Sequence, residues 1–200
     1  RLKEMLEGRR KPRRAAYDGV GRLERYEGAI EDHMAKILSL DYIDPALIRE
    51  RRLKVVVDAC NGAGSLITPE LLRRLGCEVV EINCQPTGIF PREPEPTPKS
   101  LAGLAEAVRE TGADLGIGHD PDADRCVLVA DGGMALSEEM SFPLVADFLL
   151  EKRKGPVVTT VVTSRWIDHV ASKYGVEVIR TRTDTRSQME MAMEAARKLD

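Results

Sequence analysis

Apolar and polar positions alternate in blocks along this chain. Four strand-length apolar runs cover 53–58, 77–82, 113–118 and 125–130. Stretches with helical spacing lie between and after them, at 69–75, 98–110 and 138–152. Strands that alternate with helices imply an α/β domain, with a mainly parallel sheet covered on both faces. The short step from 113–118 into 125–130 reads as a hairpin, so one antiparallel strand is expected at the sheet edge. Upstream, Ile30, Met34, Ile37 and Leu38 are spaced for a helix over 30–40. Downstream, a strand (Val157–Val162), a helix (Ser164–Tyr174) and a strand (Val176–Ile179) predict a partial second α/β unit. Met189, Met191 and Met193 do not follow helical spacing and read as a packing segment or disordered tail. Trp166 reads as core, and His33 and His169 as surface positions on helices.

Turn residues punctuate these blocks. Asn61-Gly62-Ala63-Gly64 follows the first strand, where glycines let the backbone approach other groups closely. Thr68 and Pro69 then read as cap and first helical residue. Pro91, Pro94, Pro96 and Pro98 make a stiff extended segment that ends at a Thr97-Pro98 helix start.

The densest chemistry sits between the third and fourth strands. Asp120, Asp122 and Asp124 occupy alternate positions, and Arg125 follows at once. Carboxylates alternating in a tight loop can converge on one hard cation such as Mg²⁺, which takes oxygen ligands. A neighbouring guanidinium suits open metal positions that face a phosphate, because Arg binds phosphate in a bidentate way. A solvated Asp-rich turn is the plainer reading of the same residues. An EF-hand would place Asp131 at its twelfth position, but it needs Gly where Arg125 stands. A haloacid-type phosphatase would normally have Thr or Val where Asp124 stands. His119 reads as a spacer beside the loop. Asp58 reads as an ordinary hydrogen-bonding residue at a strand end, or as one that orients the Gly-rich turn.

Three segments in order carry a resemblance. They are Val57-Asp58 with Asn61-Gly62-Ala63-Gly64, then Phe90-Pro91 with Pro94-Glu95-Pro96-Thr97-Pro98, then Ala113–Ile117 with Asp120–Arg125. Together they resemble the second domain of the α-D-phosphohexomutases, the phosphomannomutases, phosphoglucomutases and phosphoglucosamine mutases. The resemblance implies Mg²⁺ held by Asp120, Asp122 and Asp124 against an active-site phosphoserine. It implies Arg125 beside the phosphoryl group as a catalytic residue. It also implies a hexose phosphate as substrate, interconverted between its 1- and 6-phosphates. By the same resemblance, 1–29 is the tail of a first domain or a linker, 30–155 a metal-binding domain, and 156–200 a partial third domain.

The family's other motifs have no match in these residues. Neither the Thr-Ala-Ser-His-Asn-Pro serine motif nor the sugar-selecting Gly-Glu-x-Ser-Gly loop occurs. The phosphate-gripping Arg-x-Ser-Gly-Thr-Glu-Pro loop is missing too. After Thr181 the chain reads Arg182-Thr183-Asp184-Thr185-Arg186 rather than a Val-Gly-Asp turn, so the resemblance is expected to stop near 183. A start at Arg1 rather than Met points to part of a longer protein. The chain alone is therefore expected to be inactive, and a metal- or phosphate-binding fragment or interaction module stays open as an alternative.

Composition narrows this picture without redirecting it. A net charge of −3 disfavours a general polyanion binder, so no nucleic-acid partner is expected. The basic cluster Arg9, Arg10, Lys11, Arg13 and Arg14 has no interleaved aromatics and reads as a solvated linker. No apolar run approaches the ~20 residues of a membrane span. Cys60, Cys77, Cys84 and Cys126 form no Cys-x-x-Cys pair and read as reduced, packed thiols of a cytoplasmic protein. Uncovered surfaces on 30–40 and on the piece after 155 make self-association an expectation.

Overall fold

The computed structural model describes residues 2–11 and 14–197. Arg13 of the basic cluster lies outside the described residues. The chain divides into two compact units, one ending at His33 and one beginning at Met34. The first holds α1 (Leu2–Leu6) and a 3-10 turn at Tyr17–Gly19, and residues 7–11 and 14–16 between them are exposed. Arg9 pairs with Glu7 and Arg10 with Glu4, so part of the basic cluster is offset locally. The helix α2 (Ala29–Leu38) matches the apolar spacing over 30–40.

The second unit holds a five-stranded sheet. Its strands are β1 (Lys54–Asp58), β2 (Glu78–Ile82), β3 (Leu115–His119), β4 (Cys126–Ala130) and β5 (Met134–Ala135), in the order β2-β1-β3-β4-β5. β1 is parallel to both β2 and β3, whereas β4 runs antiparallel to β3. The antiparallel hairpin exit is thus present, and β5 adds two residues outside it.

Side-chain alternation sorts β1 between two cores. Val56 points into a cluster with Leu101, Leu104, Val108, Val127 and Val129, beneath α5 (Ala102–Thr111). Val55 and Val57 point the other way, toward Leu71 and Leu72 of α4 (Gly64–Arg74), Leu75 just after it and Ile48 of α3 (Pro45–Arg51). Helices therefore cover both faces, as the strand pattern requires. On the α5 side, a Cβ at Gly116 or Gly118 would overlap Leu104, Leu101 or Val108, so those glycines let the helix sit close to β3.

The remaining elements form a second α/β piece. The helix α6 (Glu138–Lys152) packs on α7 (Trp166–Tyr174), while β6 (Val157–Thr160) and β7 (Val178–Thr181) make a parallel pair contacted by α8 (Thr185–Arg197).

Several expectations need correction. α4 begins at Gly64, not at Thr68-Pro69, and Pro69 lies inside it. The helix starts early because the turn before it is already anchored, with the Ala63 amide bonded to Pro121. α3 is unforeseen; Asp44 caps it by accepting from the Ala46 and Leu47 amides. The methionine segment is the helix α8, whose amide at Ser187 is capped by Asp184. Its less exposed stripe is Gln188, Met191, Ala192 and Ala195, while Met189 and Met193 face outward. Trp166 is not core: it is 67% exposed. Cys126 is likewise exposed rather than packed, although all four thiols are free.

Leu104 is fully buried over the glycines of β3. Leu104→Ala should lower the unfolding free energy by about 2–5 kcal/mol, read as a lower urea midpoint with unchanged slope.

Candidate metal centre

The six residues Asp120–Arg125 join β3 to β4 at the carboxyl end of the parallel strands. Open α/β sheets bind ligands at that edge. Asp120 folds the loop on itself: its backbone oxygen accepts from the Ala123 amide at 3.2 Å, and its Oδ1 accepts from the Arg125 amide at 3.2 Å. Ala123 takes a left-handed φ of 59° to complete the turn. As a result one carboxylate oxygen from each of Asp120, Asp122 and Asp124 lies within 4.8 Å of the others. Asp120 is buried, and Asp122 and Asp124 are exposed.

The Gly-rich turn forms the floor of this loop. The Ala63 amide donates to Pro121 O at 2.8 Å. A Cβ on Gly62 would sit 2.2 Å from the same oxygen, so only glycine allows the contact. Cys60 and Asn61 just before it hold φ values of 51° and 52°. Such conformations persist only where the surroundings enforce them. Here Asn61 donates its backbone amide to Asn83 O at 2.7 Å, and its side chain bridges Gln85 N and Ile89 O.

Two further residues brace the loop from behind. The His119 ring spans it, with Nδ1 donating to Arg125 O at 2.9 Å and Nε2 facing the Thr68 hydroxyl at 3.1 Å. His119 is thus a brace rather than a spacer. Asp58 is almost wholly buried and accepts from the Cys60 amide, Asn83 Nδ2 and Arg92 Nε. It orients the Gly-rich turn, the less ordinary of its two readings.

Arg125 lies among acids. Its guanidinium pairs with Glu95, and its Nε lies 3.7 Å from Asp120, 3.8 Å from Asp124 and 3.9 Å from Glu138. The Asp124 carboxyl is held above the usual carboxylate range, first by its hydrogen bond with the Asp120 side chain, then by the charges of Asp122 and Asp120. Crowded carboxylates resist full ionisation unless a cation joins them. An all-oxygen donor set fits a hard divalent ion, and softer metals would call for His or Cys. The four predicted site residues are therefore together. Sequence reasoning did not single out Arg92, Glu95 or Glu138, because what marks them is contact across the fold.

A cleft of about 640 Å³ opens beside the loop, lined by Asp124, Arg125, Glu138 and Glu139 on one side and by Thr159, Thr160, Thr163 and Gln188 on the other. Glu139 accepts from the Ser164 amide at 2.7 Å, which joins α6 to the turn after β6. Arg180 steadies that turn through Thr160 O and Thr163 O and pairs with Asp168.

Known proteins share this arrangement of elements. The profile described as "Phosphoglucomutase/phosphomannomutase, alpha/beta/alpha domain II" matches residues 31–133, and that for domain III matches 138–196. The second match runs past 183, where the resemblance was expected to stop. A phosphoglucomutase/phosphomannomutase of Thermococcus kodakarensis is 43% identical over 171 residues, covering 84% of this chain and 37% of the relative. A "Probable phosphoglucosamine mutase" of Methanopyrus kandleri is 40% identical over 168 residues, 83% of this chain and 36% of its own. The chain thus spans little more than a third of these relatives. A family protein of known structure from Burkholderia thailandensis superposes with a TM-score of 0.71 at 23% identity, over 98% of this chain and 40% of that one. Parafusin, a phosphoglucomutase of Paramecium, superposes with a TM-score of 0.66 at 20% identity, over 84% and 31%. Since the domain II profile alone takes in more than half of the residues, including the whole carboxylate loop, the chain belongs to the phosphoglucomutase/phosphomannomutase family.

Proposed function

We propose that this chain is the metal-carrying part of a Mg²⁺-dependent phosphohexomutase, which interconverts hexose 1-phosphates and hexose 6-phosphates. The observation that carries this reading is the convergence of Asp120, Asp122 and Asp124 beside the Arg125 guanidinium. In it the three carboxylates hold the ion, which when bound offsets negative charge on a transferring phosphoryl group. Arg125 is the catalytic residue of the loop and turns its N–H groups to phosphoryl oxygens. Glu95 and Glu138 hold the guanidinium at the mouth of the cleft until phosphate replaces them. His119 fixes the Arg125 carbonyl, which limits the swing of the side chain. The names of the relatives support a hexose phosphate as partner and leave the sugar open.

The proposal keeps the division into the tail of a first domain (1–29), a metal-binding domain (30–155) and part of a third (156–200). α6, which packs on α7 and lies within the second family match, is the element at that junction. Among the described residues no helix is long and apolar enough to cross a membrane. A cytoplasmic setting is supported by four free cysteines. Self-association is supported by exposed Phe142, Leu144 and Val145 on α6 and Trp166 on α7. The second reading, a non-catalytic metal- or phosphate-binding module, rests on the metal loop's being the one chemistry-bearing family motif in these residues.

Metal binding is tested by titrating Mn²⁺ into the chain and into Asp122→Asn. The variant should bind more weakly, and equal binding would sink the ligand assignment. Binding should also tighten as pH rises through the raised range of the Asp124 carboxyl, because protons and the ion compete for it. Gly62→Ala should weaken Mn²⁺ binding while the sheet stays folded, since the added methyl must push Pro121 away.

Turnover tests the catalytic reading. Residues 1–200 should show none with glucose, mannose or glucosamine 1-phosphate, Mg²⁺ and the matching bisphosphate, since phosphoryl transfer needs several groups positioned together. In a complete enzyme containing this chain, Arg125→Ala should lower kcat by roughly 30- to 1000-fold, about 2–4 kcal/mol, with metal affinity nearly kept. A normal rate at saturating metal would contradict the catalytic role.

A further inference from the structure

The stiff segment between Phe90 and Pro98 has a function that its proline content does not reveal. Arg92 turns inward from it, with a side chain only 9% exposed. Each nitrogen of the guanidinium has a separate task. Nε donates to Asp58 Oδ2 at 3.1 Å, one NH group donates to Glu93 O and Pro94 O at 3.1 and 3.4 Å, and the other donates to His119 O at 2.6 Å. His119 is the last residue of β3, and Asp120 follows it directly. Arg92 therefore grips the backbone one residue before the buried ligand carboxylate. Three stretches distant in sequence meet on that one group: the end of β1, the proline-rich segment and the start of the metal loop.

We propose that Arg92 is a positioning residue for the metal site. It acts by fixing the His119 carbonyl, and through it the direction in which the chain leaves β3 and presents Asp120. The proline frame is what makes this grip effective. Pro91 and Pro94 limit the backbone on either side of Arg92, so the guanidinium has a rigid base. At the far end of the same segment Glu95 pairs with Arg125, so the loop is held at its start by Arg92 and at its finish by Glu95. Residues that orient ligands from outside matter to metal affinity nearly as much as the ligands do. Arg is required for the geometry as well as the charge. Lysine could still pair with Asp58, but its single nitrogen cannot also reach the His119, Glu93 and Pro94 carbonyls in a planar fork.

The inference rests on the metal reading above, so its test has one readout that involves metal and one that does not. The proteins are the chain, Arg92→Lys and Arg73→Lys, the last a control at an exposed arginine paired with Glu81. Hydrogen exchange is followed without metal, and Mn²⁺ affinity is measured separately. Arg92→Lys should keep the protection of β1, β3 and α5, while amides of 119–125 exchange roughly tenfold faster. Its Mn²⁺ dissociation constant should rise roughly tenfold or more, and Arg73→Lys should change neither. Unchanged loop exchange with unchanged affinity would overturn the proposal. So would loss of protection throughout the sheet in Arg92→Lys, since Arg92 would then be a general stabiliser of the core. If the unaltered chain binds no Mn²⁺ while Arg92→Lys still loosens 119–125 alone, the metal reading fails and the positioning role stands.

Discussion

The buried ion pair between Asp58 and Arg92 is the constraint on which the rest of the site depends. Two charges taken out of water carry a desolvation penalty that their mutual attraction alone often fails to offset. What makes this pair tolerable is that the remaining capacity of both partners is used. Asp58 also accepts from the Cys60 amide and Asn83, and Arg92 also donates to three carbonyls. Removing either partner would leave an unpaired charge at the end of β1, which is far costlier than never having built the pair. The arrangement thus tolerates little variation, and it fixes the Gly-rich turn, the proline-rich segment and the end of β3 with respect to one another.

Given that fixed base, the carboxylate loop can carry repulsion that a free turn would relieve by moving apart. Asp120 is tied down by its own bonds to Ala123 and Arg125 amides, and Pro121 is pressed against Gly62. Asp124 responds by holding its proton more tightly, and Arg125 by staying close to Asp120, Asp124, Glu95 and Glu138. A compact cluster under like-charge strain is primed for a cation, because binding relieves a repulsion already present in the fold.

What the sequence showed and what it concealed follow from the range of each interaction. The sheet was legible because β-strand runs and helix spacing are local patterns, and the carboxylate loop because its three aspartates are near neighbours in the chain. Arg92, Glu95 and Glu138 were not singled out because the partners that mark them lie 13 to 34 residues away in sequence, a separation that no periodicity encodes. The start of α4 was misplaced for a similar reason. Thr68-Pro69 is a strong local start signal, but the contact of Ala63 with Pro121 sets the helix earlier. α8 escaped notice because its methionines are split between faces, and the inward stripe is completed by small alanines. Trp166 was placed in the core on size alone, yet it lies on the first turn of α7 and faces out.

The position of α6 links the two α/β pieces to the same chemistry. Its first turn carries Glu138 and Glu139 at the positive end of the helix dipole, where acids are favoured. Glu138 reaches back toward Arg125 of the carboxylate loop, and Glu139 reaches forward to the Ser164 amide after β6. One helical turn therefore touches both walls of the cleft. Any rotation of α6 would alter the guanidinium's surroundings and the threonine-lined wall together, because the two glutamates are adjacent on a rigid element. The carboxylate loop and the opposite wall are consequently not independent surfaces, and the acids that surround Arg125 depend on how the β6–β7 piece is held.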